Sequence, residues 1–228
     1  MEAADSREVG VPFMEALEPE EAKALREVGG VRSFDAGKAL FHENQVPESV
    51  MVIERGRIKF ISVTSEGKEV VLAVREKGDL IGEQSTFDGA PRSATAIAID
   101  PVEALVVPAE TFRRFLEQHP RVALVLLEML SRRLRDSDSK RIEYSAHDAV
   151  GRVAARLIEL VERFGLEEGD GVRIDLPLTQ EDLAGWTGVS LESVGKATQT
   201  MRKLGWIETG RRRITVLDLD AMRQRANS

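Results

Sequence analysis

Short apolar runs separated by glycines fill residues 31–107, after a short acidic helix predicted over about Pro19–Val28. Three of the runs are rich in β-branched residues, namely Val50–Ile53, Ile58–Val63 and Val70–Val74. The glycines between and around them are Gly37, Gly56, Gly67, Gly78, Gly82 and Gly89. Turn signals every 8–12 residues or so between such runs are typical of antiparallel sandwiches and barrels. The pattern predicts an antiparallel β-roll.

The apolar period changes after Pro120, which is well placed to start a helix. A helix is predicted from Pro120 to about Ser145, because no Gly or Pro interrupts it. Spacings of four and three form a heptad seam of Ala123, Leu127, Leu130, Leu134, Ser137, Arg141 and Tyr144. Such a seam favours paired helices in a dimer, and a helix packed in the chain's own core is the alternative.

A third region begins near Val150 with an amphipathic helix that ends at Gly165, followed by a loop and a short strand over Val172–Leu176. Two capped helices follow. Thr179 can cap the first with Asp182, and Ser190 can cap a second that ends near Leu204.

The small and apolar positions of this segment have the spacing of a helix-turn-helix. If Gln180 is the first position, Ala184 is the fifth, where two helices cross closely. Gly188 is the ninth, at the turn, and Val194 is the fifteenth, beneath the second helix. An ordinary helical hairpin is the alternative.

Two further strands are predicted at Trp206–Glu208 and Arg213–Val216, joined by residues 209–212. Arg211 and Arg212 lie at the tip of this hairpin. A basic hairpin beside a recognition helix is typical of a wing that contacts the phosphates flanking the major groove.

Charge is distributed unevenly along the chain, whose net charge is −7. Residues 1–149 carry 20 basic and 27 acidic side chains, whereas 150–228 carry 12 of each. From Ser190 onward the basic residues Lys196, Arg202, Lys203, Arg211, Arg212, Arg213, Arg223 and Arg225 outnumber Glu192, Glu208, Asp218 and Asp220. The negative total argues against a protein that coats nucleic acid, but the basic tail is compatible with local DNA contacts.

Several classes of function are excluded by composition. The chain has no Cys, which rules out disulfides, iron–sulfur clusters and cysteine nucleophiles, and its three His lack metal-ligand spacing. We therefore expect no metal site.

No apolar run approaches the roughly 20 residues of a membrane helix, so we expect a cytoplasmic protein without a membrane partner. Neither a nucleophile–base set nor a Walker loop is present, which argues against an enzyme. Haem sensing through His42 or His119 is a minor alternative.

The order of β-roll, long helix and winged helix-turn-helix resembles the CRP/FNR family of bacterial transcription regulators, in particular the actinobacterial cyclic AMP receptor proteins. The resemblance covers nearly the whole chain. Its most specific motif is Gly78–Ser85, followed by Pro91–Ala94, which is similar to the family's phosphate-binding cassette. The resemblance implies an α+β fold, a homodimer, double-stranded DNA with pseudo-palindromic sites, RNA polymerase as a partner and a cyclic nucleotide effector, with no covalent cofactor.

The cassette residues suit a cyclic nucleotide chemically. Arg92 can pair with the phosphodiester through its planar fork, and the Ser93 hydroxyl adds a donor. Glu83 can accept the ribose 2′-hydroxyl, while Gly82 lets backbone amides approach closely. Gln84, next to Glu83, completes the predicted cassette contacts.

The residues expected to meet the base depart from the family pattern. By resemblance, two small polar residues on the long helix contact adenine from both subunits, and here they are Ser137 and Asp138. A carboxylate only accepts hydrogen bonds, so Asp138 can take the amino group of adenine or, better, the N1–H and amino pair of guanine. Asp138 lying in solvent at a polar seam is the alternative.

The recognition helix departs as well. Relatives begin it with Ser/Thr-Arg-Glu-Thr-Val, and this chain has Leu191 where the Arg would read guanine, a contact worth about 1–3 kcal/mol. Glu192 can still accept from cytosine, and Lys196 can contact guanine or phosphate. We therefore expect an altered operator. The predicted DNA contacts are Thr179, Gln180, Ser190, Leu191, Glu192, Ser193, Lys196, Arg211 and Arg212.

Together these features predict an effector domain over 1–119, a dimerisation helix and hinge over 120–149, and a DNA-binding domain over 150–228. Within the second region the hinge is placed at Ser145–Ala149. The predicted function is that of a homodimeric regulator whose DNA binding is controlled by cyclic AMP or a guanine cyclic nucleotide. A related regulator with a vestigial pocket, which binds DNA without effector, is the alternative.

Overall fold

The structure, a computed structural model, describes residues 10–65 and 67–226, and the side chains of 140–146 are outside its description. The chain divides into two units. The first comprises Met1–Ser62 and Leu72–Asp136, and the second comprises Val63–Val71 and Ser137–Ser228.

The sheets of the N-terminal half confirm the predicted antiparallel β-roll. Its strands are β1 Gly30–Phe34, β2 Ala39–Phe41, β3 Ser49–Arg55, β4 Ile58–Val63, β5 Glu69–Arg75, β6 Leu80–Ile81, β7 Thr95–Ala98 and β8 Val102–Pro108. They form two four-stranded sheets with the orders β1-β8-β3-β6 and β2-β7-β4-β5. The three apolar runs predicted as strands correspond to β3, β4 and β5.

Strand β3 shows why an uninterrupted apolar run forms a strand here. Successive side chains of a strand point to opposite faces. Val50 and Val52 lie in a cluster with the helices, whereas Met51 and Ile53 lie in a second cluster with residues of both sheets. Both faces of the sheet are therefore buried, and alternation with polar residues is absent.

The helices of this half begin with a 3₁₀ turn at Phe13–Ala16 and α1 at Pro19–Glu27, close to its predicted bounds. Further along the chain are α2 Glu83–Asp88, α3 Ala109–Gln118 and α4 Pro120–Ala146. Helix α1 starts at Pro19 in a capping box, in which Glu18 and Glu21 satisfy each other's backbone N–H groups. Neither α2 nor α3 was predicted individually.

Helix α4 buries one face in the protein's own core. Val122, Val125, Leu126 and Met129 are buried in the helix-side cluster, at the spacing of one helical face. Ala123 and Leu130, two residues of the predicted seam, are half-buried and also pack against this cluster, and the pairing of α4 with a second copy stays a prediction. This face of α4 packs on the core because its residues at i, i+3 and i+4 are apolar.

Another face of α4 remains exposed. Leu127 is 61% and Leu134 is 64% exposed, and both belong to the predicted heptad seam. Seam residues Arg141 and Tyr144 have side chains outside the described part of the chain.

The C-terminal half forms a winged helix-turn-helix, as predicted. Its elements are α5 Ala149–Phe164, β9 Gly165–Glu168, β10 Gly171–Ile174, α6 Gln180–Thr187, α7 Leu191–Lys203, β11 Ile207–Gly210, β12 Arg213–Val216 and α8 Leu219–Ala226. The four strands form one sheet in the order β11-β12-β10-β9.

Two details of this sheet differ from the prediction. Residues 165–168 were assigned to a loop, but they pair with β10, which ends at Ile174 and not at Leu176. The wing turn is also tighter, because Thr209 pairs with Ile214 and Gly210 pairs with Arg213. Only Arg211 and Arg212 form the turn, and Arg212 adopts the left-handed conformation with φ 53°.

The chain leaves helical geometry at His147 and Asp148, between α4 and α5 and inside the predicted hinge. Asp148 caps α5 by accepting the Gly151 N–H at 2.9 Å, and it also receives Arg225 Nη2 at 2.6 and 2.5 Å. The Gly151 N–H and the Arg225 guanidinium hold the pKa of Asp148 below its usual range. The segment between α4 and α5 is therefore held at the start of α5 by the Asp148 cap. Motion about it remains a prediction.

Among the described residues, no helix has the length and apolarity needed to cross a membrane.

Candidate functional site

The cassette is organised around a glycine in the left-handed conformation. Gly82 has φ 78° and precedes helix α2. A Cβ at this position would lie 2.6 Å from Nη1 of Arg92, which no real contact tolerates. Gly82 thus allows the arginine to lie directly against the backbone. The predicted approach of backbone amides to a ligand at Gly82 stays a prediction.

Arg92 is an almost fully buried cation, with 4% of its surface exposed. Nη1 donates to the Gly82 carbonyl at 2.6 Å, and Nη2 donates to the Ser49 carbonyl at 2.5 Å. The guanidinium carbon lies 4.4 Å from the ring centre of Phe41. Its Nε–H is buried and has no hydrogen-bond partner among the residues that the structure describes. Burial lowers the pKa of Arg92, and the Glu83 carboxylate opposes this shift.

Glu83 is also buried, at 3% exposure, and is held by an arginine of helix α4. Arg133 Nη1 donates to Glu83 Oε1 at 2.8 Å, and Arg133 Nη2 donates to the Leu80 carbonyl at 2.9 Å. The carboxylate of Asp79 lies 3.7 Å from Arg133 Nη2. A single side chain of α4 therefore joins three groups of the cassette.

Sequence reasoning missed Arg133. It lies one helical turn before Ser137, and a basic residue at that spacing from a predicted ligand contact was the available signal. Its partner Glu83 is 50 residues away in sequence, so the pairing becomes visible only in the folded chain.

The structure brings Gly82, Glu83 and Arg92 together, whereas the other predicted effector residues are exposed. Gln84 and Ser93 are exposed on the cassette. Ser137 and Asp138 are exposed on α4, in the part assigned to the second unit.

The helix-turn-helix has the local geometry that the sequence predicted. The Thr179 hydroxyl accepts the Asp182 N–H at 3.0 Å, and the Asp182 carboxylate accepts the Thr179 N–H at 3.1 Å. Gly188 ends α6 with φ 64°, and Val194 is fully buried beneath α7. Ala197 and Met201, on the same face of α7 as Val194, are also fully buried. Burial of such side chains, at about 1.5–3 kcal/mol for each large one, holds α7 on the domain.

The predicted DNA contacts of this segment are mostly exposed at one end of α7. Ser190 caps the helix, accepting the Ser193 N–H at 3.1 Å. The Lys196 ammonium lies 2.6 Å from a Glu192 carboxylate oxygen, in an exposed pair that contributes little to stability. Gln180, Ser190, Leu191, Glu192 and Lys196 are exposed, and Thr179 and Ser193 are half-buried.

An open recess of about 290 Å³ lies beside these residues in the second unit. It is bounded by the start of α6 (Thr179, Gln180), by α7 (Gly195, Gln199, Arg202) and by the wing (Thr209, Arg213). The recess thus lies between the recognition helix and the wing, and it is lined by polar, basic and apolar groups.

The arginines of the wing differ in their surroundings. Arg213 Nη2 lies 2.6 Å from Glu168 Oε2, and Arg173 shares the same carboxylate at 3.2 Å. Within the described part of the chain, Arg211 and Arg212 have no acidic partner. The charge at the tip of the wing is therefore available, whereas that of Arg213 is partly neutralised.

Histidines and carboxylates do not gather into a metal centre in the parts of the chain that the structure describes. His42 is exposed, and the His119 ring packs 4.4 Å from that of Phe115.

Comparison with known proteins matches both halves of the chain. The cyclic nucleotide-binding domain family matches residues 31–119, and the Crp-like helix-turn-helix domain family matches residues 151–225. A "CRP-like cAMP-activated global transcriptional regulator" of Mycobacterium tuberculosis is 31% identical over 214 residues, covering 94% of this chain and 96% of the relative.

Solved structures agree with this result. A CRP/FNR-family transcriptional regulator from Thermus thermophilus superimposes with a TM-score of 0.75 at 26% identity, covering 87% of this chain and 99% of that one. The c-di-GMP responsive regulator CLP of Xanthomonas campestris shares the fold, with a TM-score of 0.80 at 17% identity and coverages of 87% and 99%. The matches, the β-roll with its buried Arg92 and Glu83, and the winged helix-turn-helix show that the chain belongs to the CRP/FNR family of cyclic-nucleotide-responsive transcription regulators, which are not enzymes.

Proposed function

We propose that this protein is a homodimeric regulator in which a cyclic nucleotide, bound in the cassette, changes the affinity of the winged helix-turn-helix for double-stranded DNA. The observation that carries the proposal is the buried pair of charged side chains, Arg92 and Glu83, on the cassette. Burying charges is costly, so charged groups kept inside a protein are often functional. Opposite charges side by side suit a ligand that has an anionic phosphate and a hydroxyl.

Arg92 is the phosphate ligand in this proposal. Its two terminal nitrogens donate to neutral carbonyls, and in the described part of the chain the Nε–H has no partner. A phosphodiester offers charged oxygens, which form shorter and stronger hydrogen bonds with a guanidinium than a carbonyl does. A guanidinium has five N–H donors, so Arg92 can donate to phosphate oxygens through groups other than the two that hold the carbonyls, and the exposed Ser93 hydroxyl can add a further donor.

Glu83 connects effector binding with helix α4. The ribose 2′-hydroxyl donates to the carboxylate that Arg133 now holds at 2.8 Å. Ligand binding then weakens or reorients the contact between Arg133 and the cassette. Because α4 continues to the hinge region at His147 and Asp148, this contact gives the effector a route to the DNA-binding domain.

Ser137 and Asp138 are the proposed contacts to the base, and Gln84 lies at the edge of the cassette. The M. tuberculosis relative is named as cAMP-activated, and the Xanthomonas structure as c-di-GMP responsive. Asp138 can accept from both adenine and guanine, but guanine offers the bidentate N1–H and amino pair. The effector proposed is cyclic AMP or a guanine cyclic nucleotide, with no covalent cofactor.

The identity of the effector is tested by calorimetric titration with cyclic AMP, cyclic GMP and cyclic di-GMP. If Asp138 reads guanine, Asp138→Ser is expected to shift preference toward cyclic AMP several-fold, because a hydroxyl can both donate and accept. If Asp138 only repels ligand through its charge, the substitution raises affinity for every nucleotide alike.

A neighbouring carboxylate on α4 provides the matched control. Asp136→Ser removes the same charge two residues away and is expected to leave the order of preference unchanged. Equal affinities of wild type and Asp138→Ser for every nucleotide would place Asp138 outside the site. Absence of heat with all three nucleotides would contradict the effector proposal.

Dimerisation is proposed through the exposed face of α4. Leu127 and Leu134 are seven residues apart and more than 60% exposed, which is the position of a heptad seam without a partner in the single chain. A second copy of the same helix would cover these leucines and bring two cassettes and two DNA-binding domains into one symmetric molecule.

DNA binding is assigned to the start of α6, to the N-terminal end of α7 and to the wing. The proposed contacts are the nine residues Thr179, Gln180, Ser190, Leu191, Glu192, Ser193, Lys196, Arg211 and Arg212. A two-fold dimer fits a pseudo-palindromic site when its recognition helices enter major grooves about 34 Å apart. The proposal keeps the domain bounds 1–119, 120–149 and 150–228, a cytoplasmic location and RNA polymerase as a partner.

A further inference from the structure

We propose that Leu191 recognises the C5-methyl group of thymine in each operator half-site, an inference that rests on the DNA-binding function proposed above. Leu191 is the first residue of α7 and is 45% exposed. In a helix-turn-helix the N-terminal residues of the second helix lie against the base edges of the major groove. A leucine at this position therefore selects among base edges by apolar contact.

The polar groups around Leu191 are engaged with one another. The Ser190 hydroxyl accepts the Ser193 N–H at 3.1 Å and shares a hydrogen bond with the Ser193 hydroxyl at 2.9 Å. Glu192 and Lys196 form an ion pair at 2.6 Å. Leu191 is the large apolar side chain among them, and it cannot exchange a hydrogen bond with any base. The methyl group of thymine is the apolar feature that unmodified base pairs present in the major groove.

The face of α7 that carries Leu191 has no side chain one turn further along the helix. Gly195 lies one turn further along α7, on the same face as Leu191. A Cβ at Gly195 would meet only Gln180 Oε1, at 3.9 Å. Leu191 is therefore not covered by a side chain at position 195.

The charge nearby favours DNA as the occupant of this face. Arg211 and Arg212, at the tip of the wing, have no acidic partner among the described residues. The recess between α7 and the wing carries Arg202 and Arg213 on its walls. Basic groups elsewhere on α7 and on the wing match the phosphates at the rims of a groove, and the exposed Leu191 matches the methyl groups on its floor.

The inference is tested with duplexes selected by the full-length protein from a random pool. In the selected sites, each thymine is replaced in turn by deoxyuridine, which lacks only the methyl group. Replacement at the contacted position is expected to lower wild-type affinity about fourfold, the change that corresponds to about 0.8 kcal/mol for one buried methyl group. Leu191→Ala is expected to bind both duplexes equally.

Two further variants sharpen this test. Leu204→Ala shortens another exposed leucine just beyond the other end of α7 and is expected to keep the full sensitivity to deoxyuridine. Leu191→Arg is expected to change the selected base from thymine to guanine, because Arg pairs with guanine bidentately.

Failure of the thymine contact and failure of DNA binding give different results in this experiment. Selected sites whose affinity is unchanged by deoxyuridine at every thymine, or an undiminished effect in Leu191→Ala, would overturn the thymine contact while DNA binding stands. Recovery of no duplex from the pool would overturn the DNA-binding function, and the thymine contact with it.

Discussion

Arg92→Ala is expected to abolish binding of cyclic nucleotides in calorimetric titration. The substitution removes the cation that pairs with the phosphodiester, a charge-assisted contact worth about 1.5–3 kcal/mol. That corresponds to a loss of about 10- to 150-fold in affinity, and more if the anion stays buried without a partner. In addition, the Glu83 carboxylate keeps its contact with Arg133 but loses the positive charge of Arg92, so the anionic phosphate meets less positive charge in the pocket.

Truncating Arg92 also affects the β-roll, because the side chain fills space above Phe41 and satisfies two carbonyls. Arg92→Lys is therefore measured in parallel. It keeps the charge but lacks the planar fork, and an affinity between those of wild type and Arg92→Ala is expected. Arg57→Ala serves as the control, because Arg57 pairs with Asp100 away from the cassette. Wild-type affinity in Arg92→Ala would refute the cassette assignment.

Leu127→Glu combined with Leu134→Glu is expected to convert the protein into a monomer. Among the seam residues whose side chains the structure describes, the two leucines are the exposed apolar ones, and each contributes about 1.5–3 kcal/mol when it is covered by a partner helix. Carboxylates at these positions would have to be buried opposite one another, which is strongly unfavourable. Sedimentation velocity measures the change as a halved mass, and operator affinity is expected to fall with it, since a monomer contacts one half-site.

Val31→Glu places the same charge on a similarly exposed aliphatic position of β1 and is expected to leave the mass of the dimer unchanged. A wild-type protein that is monomeric at micromolar concentration, or a double variant that still sediments as a dimer, would contradict the assignment of the α4 face.

The parts of the structure that follow from local rules could be predicted from the sequence. Thr179 and Ser190 start α6 and α7 where the caps predicted, because capping needs only residues three positions apart. Gly188 ends α6 because glycine adopts the left-handed conformation without a steric penalty, which is also a local property. The apolar runs of β3, β4 and β5 also form strands, since β-branched residues bounded by turns have few alternatives.

Contacts between distant segments could not be predicted in the same way. Arg133 and Glu83 are 50 residues apart, and Arg213 and Glu168 are 45 apart, so no periodicity links them. Helix α4 shows a second limit. A heptad pattern marks an apolar face but does not say what covers it, and Leu130 of the predicted seam packs on the chain's own core.

The most direct test of the account measures affinity for a selected operator duplex in the absence and presence of saturating cyclic AMP, cyclic GMP or cyclic di-GMP. The account predicts that a nucleotide that binds the cassette changes operator affinity about 5- to 150-fold, the range of typical coupling free energies. By reciprocity, operator DNA changes the affinity for that nucleotide by the same factor. A nucleotide that binds through Arg92 but leaves operator affinity unchanged would contradict the account and favour a regulator that binds DNA without an effector.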